Sequence, residues 1–171
     1  IMKLELFINK NFKKEQISFI FNFLTKELQL NPQKLFVSCF SGNKDLGIDR
    51  DDTAANTWQE LFKSVNLEAA IVTDPTAGLQ GGRIFFYGEK KNWWSRSGVP
   101  ANMPLGELGG PDSEVFYDFG EQETALAKQI HESEGPCHIN CDCGRFLEIG
   151  NSVFMQYQKT AEGFMPLAQA N

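Results

Sequence analysis

The sequence is short of several things, and each shortage narrows what the chain can do. No stretch approaches the roughly 20 consecutive apolar residues of a membrane-crossing helix, so no membrane partner is expected. The first residues, Ile1-Met2-Lys3-Leu4-Glu5, have neither the basic flank nor the long apolar run of a secretory signal. An isoleucine in first position suggests a piece excised from a longer chain. Positive charge is scarce: 16 Lys and Arg stand against 22 Asp and Glu, a net charge of -6. Such a surface repels polyphosphate on average, and the chain by itself is expected to bind nucleic acid poorly. There is no Gly-rich phosphate loop, no Ser-His-Asp grouping, no H-E-x-x-H string, no internal repeat and no low-complexity tract.

What remains is the composition of one folded domain. A chain of 171 residues that is 42% hydrophobic and 12% aromatic can bury a real core. Ile17, Ile20, Phe21, Leu24 and Leu28 recur at helical spacing, which predicts a helix over 12–30 ended by Asn31-Pro32. Leu35 to Phe40 reads as a buried strand. Asp51 or Asp52 can cap a second helix whose Ala55, Trp58, Leu61, Phe62 and Val65 share a face, with Trp58 in the core. Arg83 to Tyr87 is strand-like, Gly98 to Pro111 reads as a long irregular loop, and Ser113 to Phe119 is a further strand. Glu123 to His131 is a short helix and Arg145 to Lys159 the longest extended stretch. Helices and strands followed by several consecutive strands fit an α+β fold better than a doubly wound parallel sheet.

Period-two alternation divides the late strands into faces. Asp112, Glu114, Phe116 and Asp118 oppose Val115, Tyr117 and Phe119. In the next strand Glu148 and Asn151 fall on opposite faces unless a bulge near Gly150 intervenes. Gly150 leaves a gap that a ligand or another backbone can approach. The plain alternative is that Glu114 and Glu148 face water on a half-exposed sheet. Of the adjacent Trp93 and Trp94, one is expected in the core and the other at the wall of a pocket.

Three of the four cysteines crowd into Cys137-His138-Ile139-Asn140-Cys141-Asp142-Cys143. Reduced thiols in a cytoplasmic protein explain that crowding. A zinc site on Cys137, His138, Cys141 and Cys143, with His131 as another source of the fourth ligand, is the metal reading.

The second half then resembles a known family. Asn92-Trp93-Trp94, Gly110-Pro111-Asp112-Ser113-Glu114-Val115-Phe116-Tyr117-Asp118 and Gly144-Arg145-Phe146-Leu147-Glu148-Ile149-Gly150-Asn151-Ser152-Val153-Phe154-Met155-Gln156-Tyr157 are similar, in this order, to the alanyl-tRNA synthetase family of class II aminoacyl-tRNA synthetases. Gly163 to Leu167 resembles the approach to motif 3, and Glu5-Leu6-Phe7 to Lys14 the end of the motif 2 strand and the following helix. The match is specific from Gly110 to Tyr157 and loose between Lys34 and Gly88. It departs from the family where Leu105 to Glu114 stands without the two cysteines of the G-P-C-G-P-C string, and at Gly150, where many members carry tryptophan.

The resemblance implies an antiparallel sheet flanked by helices, residues 1–171 being one domain from the middle of a class II catalytic core. It implies ATP and Mg²⁺ as cofactors, and alanine, ATP and tRNA(Ala) as partners through a longer protein. Trp94, Asn151 and Val153 would form the alanine pocket, with Glu148 and Glu114 near ATP and Mg²⁺. The motif 1 strand, the motif 2 arginine and motif 3 would lie outside this stretch, leaving it inactive alone and with a sheet edge open to self-association. A stand-alone, non-catalytic binding domain on the same fold and a small zinc-binding module are the alternative readings.

Overall fold

The strand β1 (Leu35–Phe40) has all six residues buried. A strand covered on both faces reads as an almost unbroken apolar run, and Ser38 is its one polar side chain. In the computed structural model, which describes residues 12–167, β1 sits inside a mixed eight-stranded sheet. Residues Glu5 to Phe7, expected to end a motif 2 strand, lie outside that range.

On one side β1 runs parallel to β3 (Ile84–Tyr87), which is parallel in turn to β2 (Ile71–Val72). On the other side it is antiparallel to the long β5 (Leu108–Asp118). β5 also pairs antiparallel with β4 (Trp93–Ser95), β6 (Phe146–Val153) and β7 (Tyr157–Thr160), and β7 pairs with β8 (Gly163–Pro166). The fold is α+β as expected, but the sheet is not wholly antiparallel. Successive parallel strands need a crossover, and the helix α2 (Asp52–Ser64) carries the chain from β1 to β2, on the far side of β3.

One face of the sheet is covered by α2 and by α1 (Phe12–Asn22). Phe21, Leu24, Trp58 and Phe62 pack there on Leu35, Val37, Cys39 and Val115. Trp58 is fully buried, and its indole donates to Ser113 Oγ at 2.8 Å, so it is core with its polar edge satisfied. Asp51 caps α2 by accepting from Ala54 N at 3.0 Å, and the buried Lys13 of α1 pairs with the same carboxylate. One side chain thus fixes the start of α2 and the seat of α1. The first helix turns π-helical over Phe23–Glu27. There Thr25 Oγ1 donates to the Phe21 carbonyl, occupying the acceptor an ordinary helical turn would use.

Two boundaries differ from the sequence reading, the first because glycine and proline are poor guides inside a strand. β5 begins at Leu108, so the last four residues of the expected loop are strand. Gly109, Gly110 and Pro111 serve pairing instead of turning. A Cβ on Gly110 would lie 1.8 Å from the Phe154 carbonyl oxygen, so only glycine admits the chain that crosses there. Pro111 needs no donor, since its carbonyl accepts from Phe154 N at 2.9 Å. The expected single strand from Arg145 to Lys159 is interrupted after Val153 and resumes at Tyr157.

The crossing at Gly110 generates a stability prediction. Gly110→Ala forces backbone apart in a closed layer and is expected to lower the unfolding free energy by about 3 kcal/mol, with a reduced urea midpoint and an unchanged m-value.

Candidate active site

In an antiparallel pair, directly opposed residues share a face. The β5–β6 register opposes Asp112 to Val153, Glu114 to Asn151, Val115 to Gly150 and Phe116 to Glu148. Ile149 is the extra residue: β6 has a bulge there, near the glycine where the sequence reading allowed one. Ile149 and Gly150 both go to the helix side, where Ile149 joins the main core. Glu148 and Asn151 therefore share the other face with Glu114.

The gap at Gly150 has a different tenant from the one expected. A Cβ there would come within 2.6 Å of Ile20 Cδ1, so the missing side chain makes room for α1. Any ligand must meet the opposite face. Trp94 opposes Gly110, whose alternation with Asp112 places Trp94 on the carboxylate face as well. Trp94 is half-buried, whereas Trp93 is buried among Phe40, Ile48 and Met103. Val153, opposite Asp112, is half-buried.

Three residues outside the sequence-derived set complete the cluster. Ser38 Oγ donates to Glu114 Oε2 at 3.1 Å. Asn92, at the end of the short α3 (Glu89–Asn92), donates to Ser38 Oγ at 2.7 Å and to Asp112 Oδ1 at 3.1 Å. Asn151 Nδ2 reaches Asp112 Oδ2 at 3.5 Å. Asp112 had a legible signal, because alternation puts it on the face of Glu114. Ser38, the lone hydroxyl in an apolar strand, was a weaker signal, and nothing local marks Asn92 beyond its place beside the tryptophans.

Electrostatically the cluster is short of positive charge. Burial pushes the Asp112 carboxyl up to about 7 against the donors of Asn92 and Asn151, and the Glu148 charge adds to the rise. Burial likewise raises Glu114 to about 8, with further repulsion from Asp112 and Glu148. Glu148 is raised by partial burial of its head group. It is exposed as a residue, so the plain alternative of a carboxylate facing water holds for Glu148 and fails for the buried Glu114. Two buried amide oxygens, Asn92 Oδ1 and Asn151 Oδ1, have no hydrogen-bond partner. Unsatisfied acceptors beside three crowded carboxylates fit a cation or an N–H donor such as an ammonium. The same carboxylates suit Mg²⁺, a hard ion that prefers oxygen ligands.

The metal-ligating residues gather elsewhere. Cys137, Cys141 and Cys143 come together with His131 of α4 (Ala125–Glu134), not with His138. The His138 ring points to the sheet instead, its Nδ1 2.9 Å from the Tyr87 hydroxyl. Its place in the expected ligand set passes to His131.

A pH dependence follows from the two buried carboxyls. Their folded values, about 7 and about 8, lie above the roughly 4 of an unfolded chain, so the native state binds more protons between those limits. Stability should be highest near pH 4 as far as these groups are concerned, and should fall as pH rises through about 7 to 8. Urea midpoints across that range are expected to show the fall, and Asp112→Asn with Glu114→Gln to flatten it.

Comparison with known proteins identifies the family. The family model described as tRNA synthetases class II (A) matches residues 2–171. Over 161 residues the chain is 35% identical to the alanine–tRNA ligase of Treponema denticola, covering 91% of this chain and 21% of that protein. It is 33% identical over 156 residues to the alanine–tRNA ligase of Borrelia hermsii, covering 89% and 20%. With that of Elusimicrobium minutum it shares 35% over 162 residues, covering 94% and 14%. The chain thus spans about a fifth or less of the length of these relatives. With a match running over nearly its whole length, the chain belongs to the class II (A) family of tRNA synthetases.

Proposed function

We propose that this chain is the part of an alanine–tRNA ligase catalytic core that walls the alanine pocket, within a longer protein that activates alanine with ATP and transfers it to tRNA(Ala). The observation that carries the reading is the sharing of one sheet face by Trp94, Asn151 and Val153 with the carboxylates Asp112, Glu114 and Glu148. The likeness to alanine–tRNA ligases supports the choice of amino acid. Residues 1–171 are read as a single domain, the middle of that core.

Activation is an in-line attack by the alanine carboxylate on the α-phosphate of ATP, forming alanyl-adenylate and releasing pyrophosphate. This chain's contribution is orientation and exclusion. The unpartnered Oδ1 of Asn151 accepts from the alanine ammonium, and the neighbouring carboxylates supply the negative field that holds it. Trp94 and Val153 restrict the space at the methyl group. Size exclusion is required because one methylene in an apolar pocket is worth only about 1–3 kcal/mol of discrimination. Glu148 and Glu114 are the residues that would hold Mg²⁺, and the ion bound with ATP would supply positive charge to the phosphate oxygens. Groups that stabilise the α-phosphate in the transition state for adenylyl transfer are read as lying outside this stretch, and the chain alone as inactive. Such an enzyme works in the cytoplasm, and the four free cysteines suit a reducing compartment. Among the described residues no helix is long and apolar enough to cross a membrane.

The test is alanine-dependent ATP–pyrophosphate exchange by the longer protein, with the 171-residue chain expected to give none. In the longer protein Asn151→Ala should lower kcat/KM for alanine about 100-fold, the scale seen when one preorganised polar contact is lost. Trp94→Ala should shift preference toward larger amino acids. Unchanged alanine kinetics in both variants would overturn the assignment of this face. Among the described residues β6 pairs only with β5, an arrangement that supports self-association of the isolated chain. Light scattering at rising concentration is expected to report species larger than a monomer.

A further inference from the structure

We infer that His131, Cys137, Cys141 and Cys143 form a closed, structural zinc site that clamps the 135–144 loop to α4 and to the sheet. Their ligand atoms all lie within 4.8 Å of one another. The sulfur pairs are 3.2 Å apart for Cys141–Cys143, 3.6 Å for Cys137–Cys143 and 3.7 Å for Cys137–Cys141. His131 Nε2 is 3.9 Å from Cys141 Sγ. A tetrahedron with zinc–sulfur bonds of about 2.3 Å has edges of about 3.8 Å, so the four atoms already stand close to the corners of one. Three thiolates and an imidazole are a donor set zinc accepts. With four protein ligands no position is left for substrate, which makes the site structural and not catalytic.

The surroundings are those of a built site. Ile130 and His131 follow Ala127 at i+3 and i+4, so both lie on the face of α4 that carries Ala127. Ala127 is fully buried, and it packs with Ile130 against Cys141 and Cys143, which are themselves buried. A short loop with three cysteines has little other means of holding its shape, because thiols are weak hydrogen-bond donors. The same loop carries Ile139, buried on the sheet among Phe36, Phe85, Phe116 and Phe146, and His138, whose ring meets Tyr87. Phe116 is two residues from Glu114, so the clamp holds a cover beside the carboxylate cluster. The site is independent of the assignment to alanine activation, and each can fail without the other.

The chain, purified under reducing conditions without chelator, is expected to hold about one zinc by elemental analysis. After exchange of zinc for cobalt(II), the visible bands of tetrahedral thiolate-bound cobalt are expected. His131→Ala and Cys141→Ser should each weaken metal binding at least tenfold, while His138→Ala and Cys39→Ser leave the cobalt spectrum unchanged. If His131→Ala or Cys141→Ser proves insoluble, the spectrum of the unsubstituted chain together with His138→Ala decides. A metal-free chain whose three thiols all react freely, a Cys141–Cys143 disulfide with no metal, or loss of cobalt binding on His138→Ala would each overturn the site.

Discussion

The arrangement of the whole carboxylate face depends on one extra residue in β6. With regular pairing, Glu148 and Asn151 would project to opposite sides of the sheet, because the side-chain period of a strand is two. The bulge at Ile149 puts two consecutive residues on the helix side and returns Asn151 to the face of Glu148. The helix side tolerates this because Gly150 has no side chain, so Ile20 of α1 fills the space beside Ile149. A packing solution on one face therefore produces the chemical arrangement on the other.

That arrangement works against the stability of the fold. Asp112 and Glu114 are buried close to one another and to Glu148, and burial and repulsion act on them together. Their hydrogen bonds from Ser38, Asn92 and Asn151 offset part of the cost, but Asn92 and Asn151 each keep one acceptor without a partner. Elsewhere the chain satisfies its buried charge directly. Lys13 meets Asp51 at the start of α2, and Arg145 forms a two-pronged pair with Asp118 at 2.9 Å on both arms. The chain thus pairs its charges at α2 and at the end of β5, and crowds three carboxyls together at the β5–β6 face.

The contrast between the two ends of the second face is equally physical. Under the cysteine loop the sheet is aromatic and aliphatic, and Ile139 of the loop is buried on it. A few residues further along β5 the same face turns polar, and Trp94 and Val153 are the apolar groups at its border. Small-molecule sites commonly combine an apolar wall with a few convergent polar groups.

Much of this was legible from residue order alone. Helical spacing located the core face of both long helices, Asp51-Asp52 announced the start of α2, and alternation assigned Asp112 and Glu114 to one face. Motif order located the family and the tryptophan, asparagine and valine of the candidate pocket. The parallel pairs within the sheet, the strand pairing of Leu108 to Pro111 and which of the two histidines meets the cysteines were not legible, because each depends on contacts between segments distant in sequence. Local pattern reports propensity and face. It carries no information about which strand lies alongside, so the parallel pairing of β1 with β3, the partnership of Asn92 with Ser38 and Asp112, and the approach of His131 to three cysteines were decided only when the chain closed on itself. Side chains far apart in sequence become neighbours through register and helix seating, and those are settled by packing the core as a whole.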